Sequence, residues 1–95
     1  MKVQDVAEVR VDFPEAHFWL VRSHSRDFVG KPTKVFKPDY IGIKVTRLDL
    51  VNPDFFFLTF QVLHTKGVFA LTAHGSLGLV HIRVSDVGAL PIEFR

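Results

Sequence analysis

Apolar and polar residues alternate from Val6 to Phe13 (VAEVRVDF), with Val9, Val11 and Phe13 on one face and Glu8, Arg10 and Asp12 on the other. That two-residue period is the signature of a half-buried strand, and Pro14 ends it. His17 to Ser23, HFWLVRS, is aromatic and β-branched and reads as a second strand. The intervening Pro14-Glu15-Ala16 has hairpin length, so the two strands are expected to pair. Ser23 to Asp39 carries Gly30, Pro32 and Pro38 among many charges, which predicts a long loop, with Lys34-Val35-Phe36 as a candidate edge strand. The alternation resumes at Tyr40 to Arg47, YIGIKVTR, where Ile41, Ile43 and Val45 share a face and Gly42 marks a bulge or a close backbone approach.

Asn52-Pro53 is a helix start with a mechanism. The Asn side chain accepts from an orphan N–H, Pro at the first helical position gives up no needed donor, and Asp54 complements the positive end of the dipole. Phe55, Phe56, Leu58, Phe60, Val62 and Leu63 cover much of the helix perimeter. The helix is therefore expected to be buried against the sheet, with room for a partner, and to stop at Gly67. Periodicity leaves Val68 to Ala73 open between a helical turn and a short strand. Beyond it lie a turn at Gly75-Ser76-Leu77-Gly78, a strand from Leu79 to Val84, a one-turn helix capped by Ser85 and a final strand from Pro91 to Phe94. The pattern as a whole predicts a single small α+β domain over residues 1–95, a mixed or antiparallel sheet with one main buried helix at about residues 53–65.

Composition sharpens this picture in two places. Nearly half of the 95 residues are apolar and ten are Phe, so the chain is rich enough in core material to fold alone or with a copy of itself. There is no cysteine, which excludes disulfides and thiolate metal sites and fits a reducing compartment. The amino terminus lacks an apolar run of signal-peptide length, and no stretch is long enough to span a bilayer, so a cytoplasmic protein without membrane contact is expected.

The net charge of +2 hides an uneven distribution. Residues 1–20 carry two cations against four carboxylates, residues 21–47 seven against two, and residues 48–95 three against four. The basic block holds Arg22, Arg26, Lys31, Lys34, Lys37, Lys44 and Arg47, with Phe28, Phe36 and Tyr40 interleaved. Where charge sits matters more than its total for phosphate binding. Arg22-Ser23-His24-Ser25-Arg26, followed by Lys31, Lys34 and Lys37, supplies point charges and hydroxyl donors of the kinds that grip phosphates, and Arg also reads guanine edges.

Other constellations are weaker. The five histidines show no HxxxH or HExxH spacing. Ser76 in GSLG lacks the nucleophile-elbow pattern, Gly75-x-x-Gly78 is too short for a phosphate-cradling loop, and no carboxylate pair is placed for acid–base work. No catalysis, cofactor or metal is expected. His74, beside a flexible turn, is the best placed histidine for a phosphate or base edge, and a Phe-roofed small-ligand pocket with His64 or His74 at its mouth is a further possibility.

Asn52-Pro53-Asp54-Phe55, Gly75-Ser76, Val84-Ser85-Asp86-Val87 and Leu90-Pro91-Ile92 follow one another in an order that resembles the end of a DNA target-recognition domain from the specificity subunits of type I restriction-modification systems. The likeness covers about half the chain. It implies double-stranded DNA as partner and a recognition role without catalysis. The long helices that space two such domains and dock methyltransferase subunits have no counterpart in this sequence. The resemblance therefore implies a stand-alone DNA-binding module, or a phage or mobile-element protein that meets restriction or other defence machinery. On this reading Arg22, Arg26, Lys31, Lys34 and Lys37 hold phosphates, with Ser23, Ser25 or His24 nearer the bases. The alternative is a protein-interaction module, homodimeric in one form, that uses Trp19 and the Phe-rich helix as an interface core.

Overall fold

The computed structural model describes residues 1–76 and 78–92. In chain order the elements are α1 (Val3–Val6), β1 (Ala7–Val11), β2 (Phe18–Leu20), β3 (Ser23–His24), β4 (Pro32–Thr33), β5 (Ile41–Val45), α2 (Pro53–Thr65), α3 (Val68–Thr72), β6 (His74–Ser76), β7 (Leu79–His81) and α4 (Val84–Gly88). They form an α+β domain with two antiparallel sheets, ordered β1-β5-β2-β4 and β3-β7-β6.

The expected β1–β2 hairpin does not form, because β5 lies between the two strands and pairs with both. The physical reason is Gly42. It sits opposite Arg10 of β1 and Trp19 of β2, and a Cβ built there would lie 2.7 Å from the Phe13 Cβ and 2.9 Å from the Ala16 Cβ. The Phe13–Ala16 connection thus crosses the face of the sheet over a residue that has no side chain, and it delivers β2 to the far side of β5. The close approach inferred from Gly42 is present. Phe13, Ala16 and Trp19 make a small second cluster on this face, and the Trp19 indole Nε1 donates to the Phe13 carbonyl at 2.9 Å.

On the opposite face Phe18, Leu20, Ile41, Ile43 and Val45 join the main core with Phe56 and Phe60 of α2 and Phe69 of α3. Asn52 caps α2 as expected, its side chain accepting from the N–H groups of Asp54 at 2.8 Å and Phe55 at 3.3 Å. The burial of this helix is narrower than its apolar residues predict. Each residue advances about 100° around the axis, so Phe56 and Phe60 face the core, while Phe55, Leu58 and Val62 fall on the other arc and are 58%, 56% and 51% exposed. A single sheet can cover only one side of a helix, and the rest of its apolar perimeter is left facing water.

Three further expectations are corrected. The run His17–Ser23 breaks at Val21-Arg22, and Ser23-His24 crosses to the second sheet to pair with β7. The edge strand beside β2 is Pro32–Thr33 and not Lys34–Phe36, because Val21 N–H reaches the Lys31 carbonyl and fixes that register. The last short helix is entered through Arg83, with Ser85 already inside its first turn. Pro91 makes one antiparallel bridge to Lys2, and the remainder of the expected final strand lies outside the described residues. Val68–Thr72 is helical, and Gly67, in the left-handed region at φ 79°, separates it from α2. Among the described residues no helix is long and apolar enough to cross a membrane.

His17 extends the β2 side of the sheet by one residue. Its N–H donates to the Ile43 carbonyl at 2.9 Å, and its ring Nδ1 accepts from Val45 N–H at 2.9 Å. That acceptor exists only on an imidazole unprotonated at Nδ1, and burial, then Lys44 and Lys34, hold His17 below its ordinary pKa. The unfolded chain therefore binds the proton first. The stability contributed by His17 is full above about pH 6.5 and is lost as pH falls through the lower folded value. Melting curves at about pH 7.5 and about pH 5 should show a smaller drop for His17→Asn, whose side-chain oxygen still accepts, than for wild type. Equal drops would mean that His17 does not contribute to the pH dependence.

Candidate nucleic-acid interface

The turn from Ser25 to Gly30 is the structural centre of the basic block. Phe28 and Val29 N–H both reach the Ser25 carbonyl, at 3.1 and 2.9 Å, and Lys31 N–H reaches the Phe28 carbonyl at 3.1 Å. Val29 is fully buried, which anchors the turn in the core. Gly30 takes φ 82° and donates to the Val21 carbonyl at 2.7 Å, returning the chain to β4.

Two long-range bonds clamp the outside of the turn. Arg26 Nη1 donates to the Ala70 carbonyl of α3 at 2.7 Å, and His64 Nε2 of α2 donates to the Asp27 carbonyl at 2.8 Å. The turn is thus tied to both helices, and Phe28 is carried outward, 47% exposed. The His24 ring lies 4.8 Å from the Phe28 ring, and Lys31 Nζ lies 5.3 Å from the Phe28 ring centroid.

The seven candidate residues do not share one surface. His24 and Lys31 come together around Phe28, Arg26 reaches instead to the Ala70 carbonyl, and Ser23 lies on β3 with Arg22 just before it. Lys34 turns toward the start of α2, where its Nζ is 3.6 Å from Asp54 Oδ1 and 4.6 Å from the Phe57 ring centroid. Lys37 lies over Tyr40, at 5.5 Å from the ring centroid. Arg47 is likewise engaged, by Asp49 at 2.8 Å, and each raises or lowers the other's pKa in the sense that keeps both charged. Such exposed pairs add little stability. They do reduce the number of cations available to a phosphate.

Beside this turn lies a cleft of about 280 Å³ lined by Lys31, Pro32, Gln61, His64 and Thr65, a set not expected from sequence. No Phe lines it, unlike the Phe-roofed pocket expected at His64. The one available signal was the polar trio Gln61, His64 and Thr65, which falls on a single arc of α2. A second polar group forms across the smaller sheet, where His74 pairs with His81 and Ser23 lies opposite His81. The His74 ring nitrogen Nε2 meets Asp86 Oδ2 at 3.1 Å. Among the described residues no group of three or more His, Asp or Glu is arranged to hold a metal ion.

Compared with family models, with curated proteins and with solved structures, this chain matches none.

Proposed function

We propose that this chain is a non-catalytic DNA-binding module of the cytoplasm that holds double-stranded DNA through the turn centred on Phe28. The observation that carries the reading is that turn itself: Arg22, His24, Arg26 and Lys31 are all exposed on a backbone clamped to α2 and α3. Preformed cationic donors suit phosphates, which position a protein on DNA, while Ser23 and His24 on β3 are the side chains nearest to reading bases. The resemblance of the second half of the chain to restriction-modification target-recognition domains points the same way.

Lys34 and Lys37 contribute less on this reading, because Asp54 neutralises the first and the second lies apart. About three to four phosphate contacts then remain for Arg22, Arg26, Lys31 and a weakened Lys34, so log K should fall with log salt at a slope of roughly −2.7 to −3.6, taking about 0.9 per phosphate. Fluorescence anisotropy of a labelled mixed-sequence duplex at about 50 and about 200 mM salt tests this. Arg22→Ala/Lys31→Ala should weaken binding at both salts and flatten the slope by about two. Absence of binding, or binding indifferent to salt and to the double substitution, overturns the proposal. The exposed outer arc of α2 would then be the place to look for a protein partner, including a second copy of the chain.

A further inference from the structure

We propose that Phe28 is a stacking platform for an unpaired nucleobase, and that the adjoining cleft receives the sugar and phosphate attached to it. The inference rests on the nucleic-acid reading of the same turn but names a different substrate form, a strand with an unstacked base.

An exposed aromatic on a loop is ordinarily a mobile side chain on a mobile backbone. Phe28 is not placed that way: the residues on either side of it are bonded to α3 through Arg26, to α2 through Asp27 and to the core through Val29. The ring is therefore presented from a fixed support while remaining 47% exposed. Its polar neighbours suit a nucleotide. Lys31 belongs both to the surroundings of the ring, 5.3 Å from the centroid, and to the lining of the 280 Å³ cleft. Lys31 would thus lie between a base held by Phe28 and a phosphate held in the cleft, with Gln61 also on the cleft wall. His24, tilted 46° to Phe28 at 4.8 Å, supplies a second ring beside it. Every base has a π-face, so such a platform binds single strands with little sequence preference.

The duplex end or the bubble that would supply an unpaired base distinguishes this from groove binding. The test uses an oligothymidylate with one central 2-aminopurine, as a single strand and as the matched duplex, with wild type, Phe28→Ala and Lys31→Ala; thymidine monophosphate is added separately. Wild type should quench the 2-aminopurine emission of the single strand. Phe28→Ala should abolish the quenching and lower single-strand affinity roughly tenfold while changing duplex affinity less than about twofold. Lys31→Ala should weaken both forms and keep the quenching.

Single-strand binding without quenching, or equal weakening of both forms by Phe28→Ala, overturns the platform and leaves duplex binding standing. Phe28-dependent binding of the single strand alone supports the platform and overturns the duplex reading. Binding of thymidine monophosphate as tight as that of the strand would show a nucleotide pocket instead of a strand contact. Binding of neither strand form overturns both. A circular dichroism melt of Phe28→Ala matching that of wild type establishes that the exposed ring was not removed at the expense of the fold.

Discussion

Gly30→Ala is expected to lower the melting temperature by about 10 °C or more. Two costs combine. Gly30 sits at φ 82°, where a residue with a Cβ is disfavoured by roughly 1–2 kcal/mol. The added methyl would also collide with the Cβ and ring of Phe69, which is 2% exposed and stacked on Phe60 with centroids 6.1 Å apart. Phe69 is buried in the core, and overpacking of a filled core costs about 1–3 kcal/mol. The sum, about 2–5 kcal/mol, is a large share of the roughly 5–14 kcal/mol expected for a chain of this length. Each kcal/mol moves the melting temperature of a small domain by about 4–8 °C. Gly67→Ala is the control, since Gly67 has a similar φ of 79° but nothing within 4 Å of its would-be Cβ. Thermal denaturation followed by circular dichroism should place Gly67→Ala between wild type and Gly30→Ala. Equal melting temperatures for the two variants would show that the Phe69 contact carries no cost. Because Gly30 closes the Ser25–Lys31 turn, its substitution should also weaken nucleic-acid binding at temperatures where the variant is still folded.

Phe60→Ala should cost about 3–5 kcal/mol, enough to leave a substantial unfolded fraction near 37 °C. Phe60 is fully buried, and its ring meets those of Phe56 at 5.1 Å, Phe18 at 5.5 Å and Phe69 at 6.1 Å, so it joins α2 to both the sheet and α3. Truncation removes the transfer free energy of the ring and leaves a cavity that three other aromatic rings, each fixed by its own element, cannot fill. Phe55, five residues earlier and 58% exposed, supplies the comparison. Urea unfolding should put Phe55→Ala within about 1 kcal/mol of wild type. Comparable losses at the two positions would refute the assignment of the core-facing arc of α2.

How far the fold can be read from sequence differs from element to element. Helix α2 was legible to the residue at its start, because Asn52 and Pro53 act on the backbone beside them. The faces of β5 were legible from Ile41, Ile43 and Val45. The neighbours of each strand were not: alternation says which side of β1 is buried and nothing about which strand lies beside it. HFWLVRS has strand propensity throughout, and its division between two sheets follows from pairing with Pro32–Thr33 on one side and His81 on the other. For the same reason the basic block was visible as composition, whereas its partition was hidden. The partners that sort its cations are a backbone carbonyl at Ala70 and a carboxylate at Asp54, both remote in sequence. The surplus of apolar surface on α2 was legible, whereas the residues left outside, Phe55, Leu58 and Val62, were not, because hydrophobicity cannot reveal which side of a helix finds a sheet.

The position of β5 between β1 and β2 also sets an order of events on the ribosome. Both neighbours are synthesised before it, so Ala7–Val11 emerges with an open edge and no strand to receive it until Ile41–Val45 follows. The Phe13–Ala16 crossover can settle only once Gly42 lies beneath it. Until Ile41–Val45 has emerged and docked, the facing edges of β1 and β2 are the ones most open to pairing with another copy of the chain.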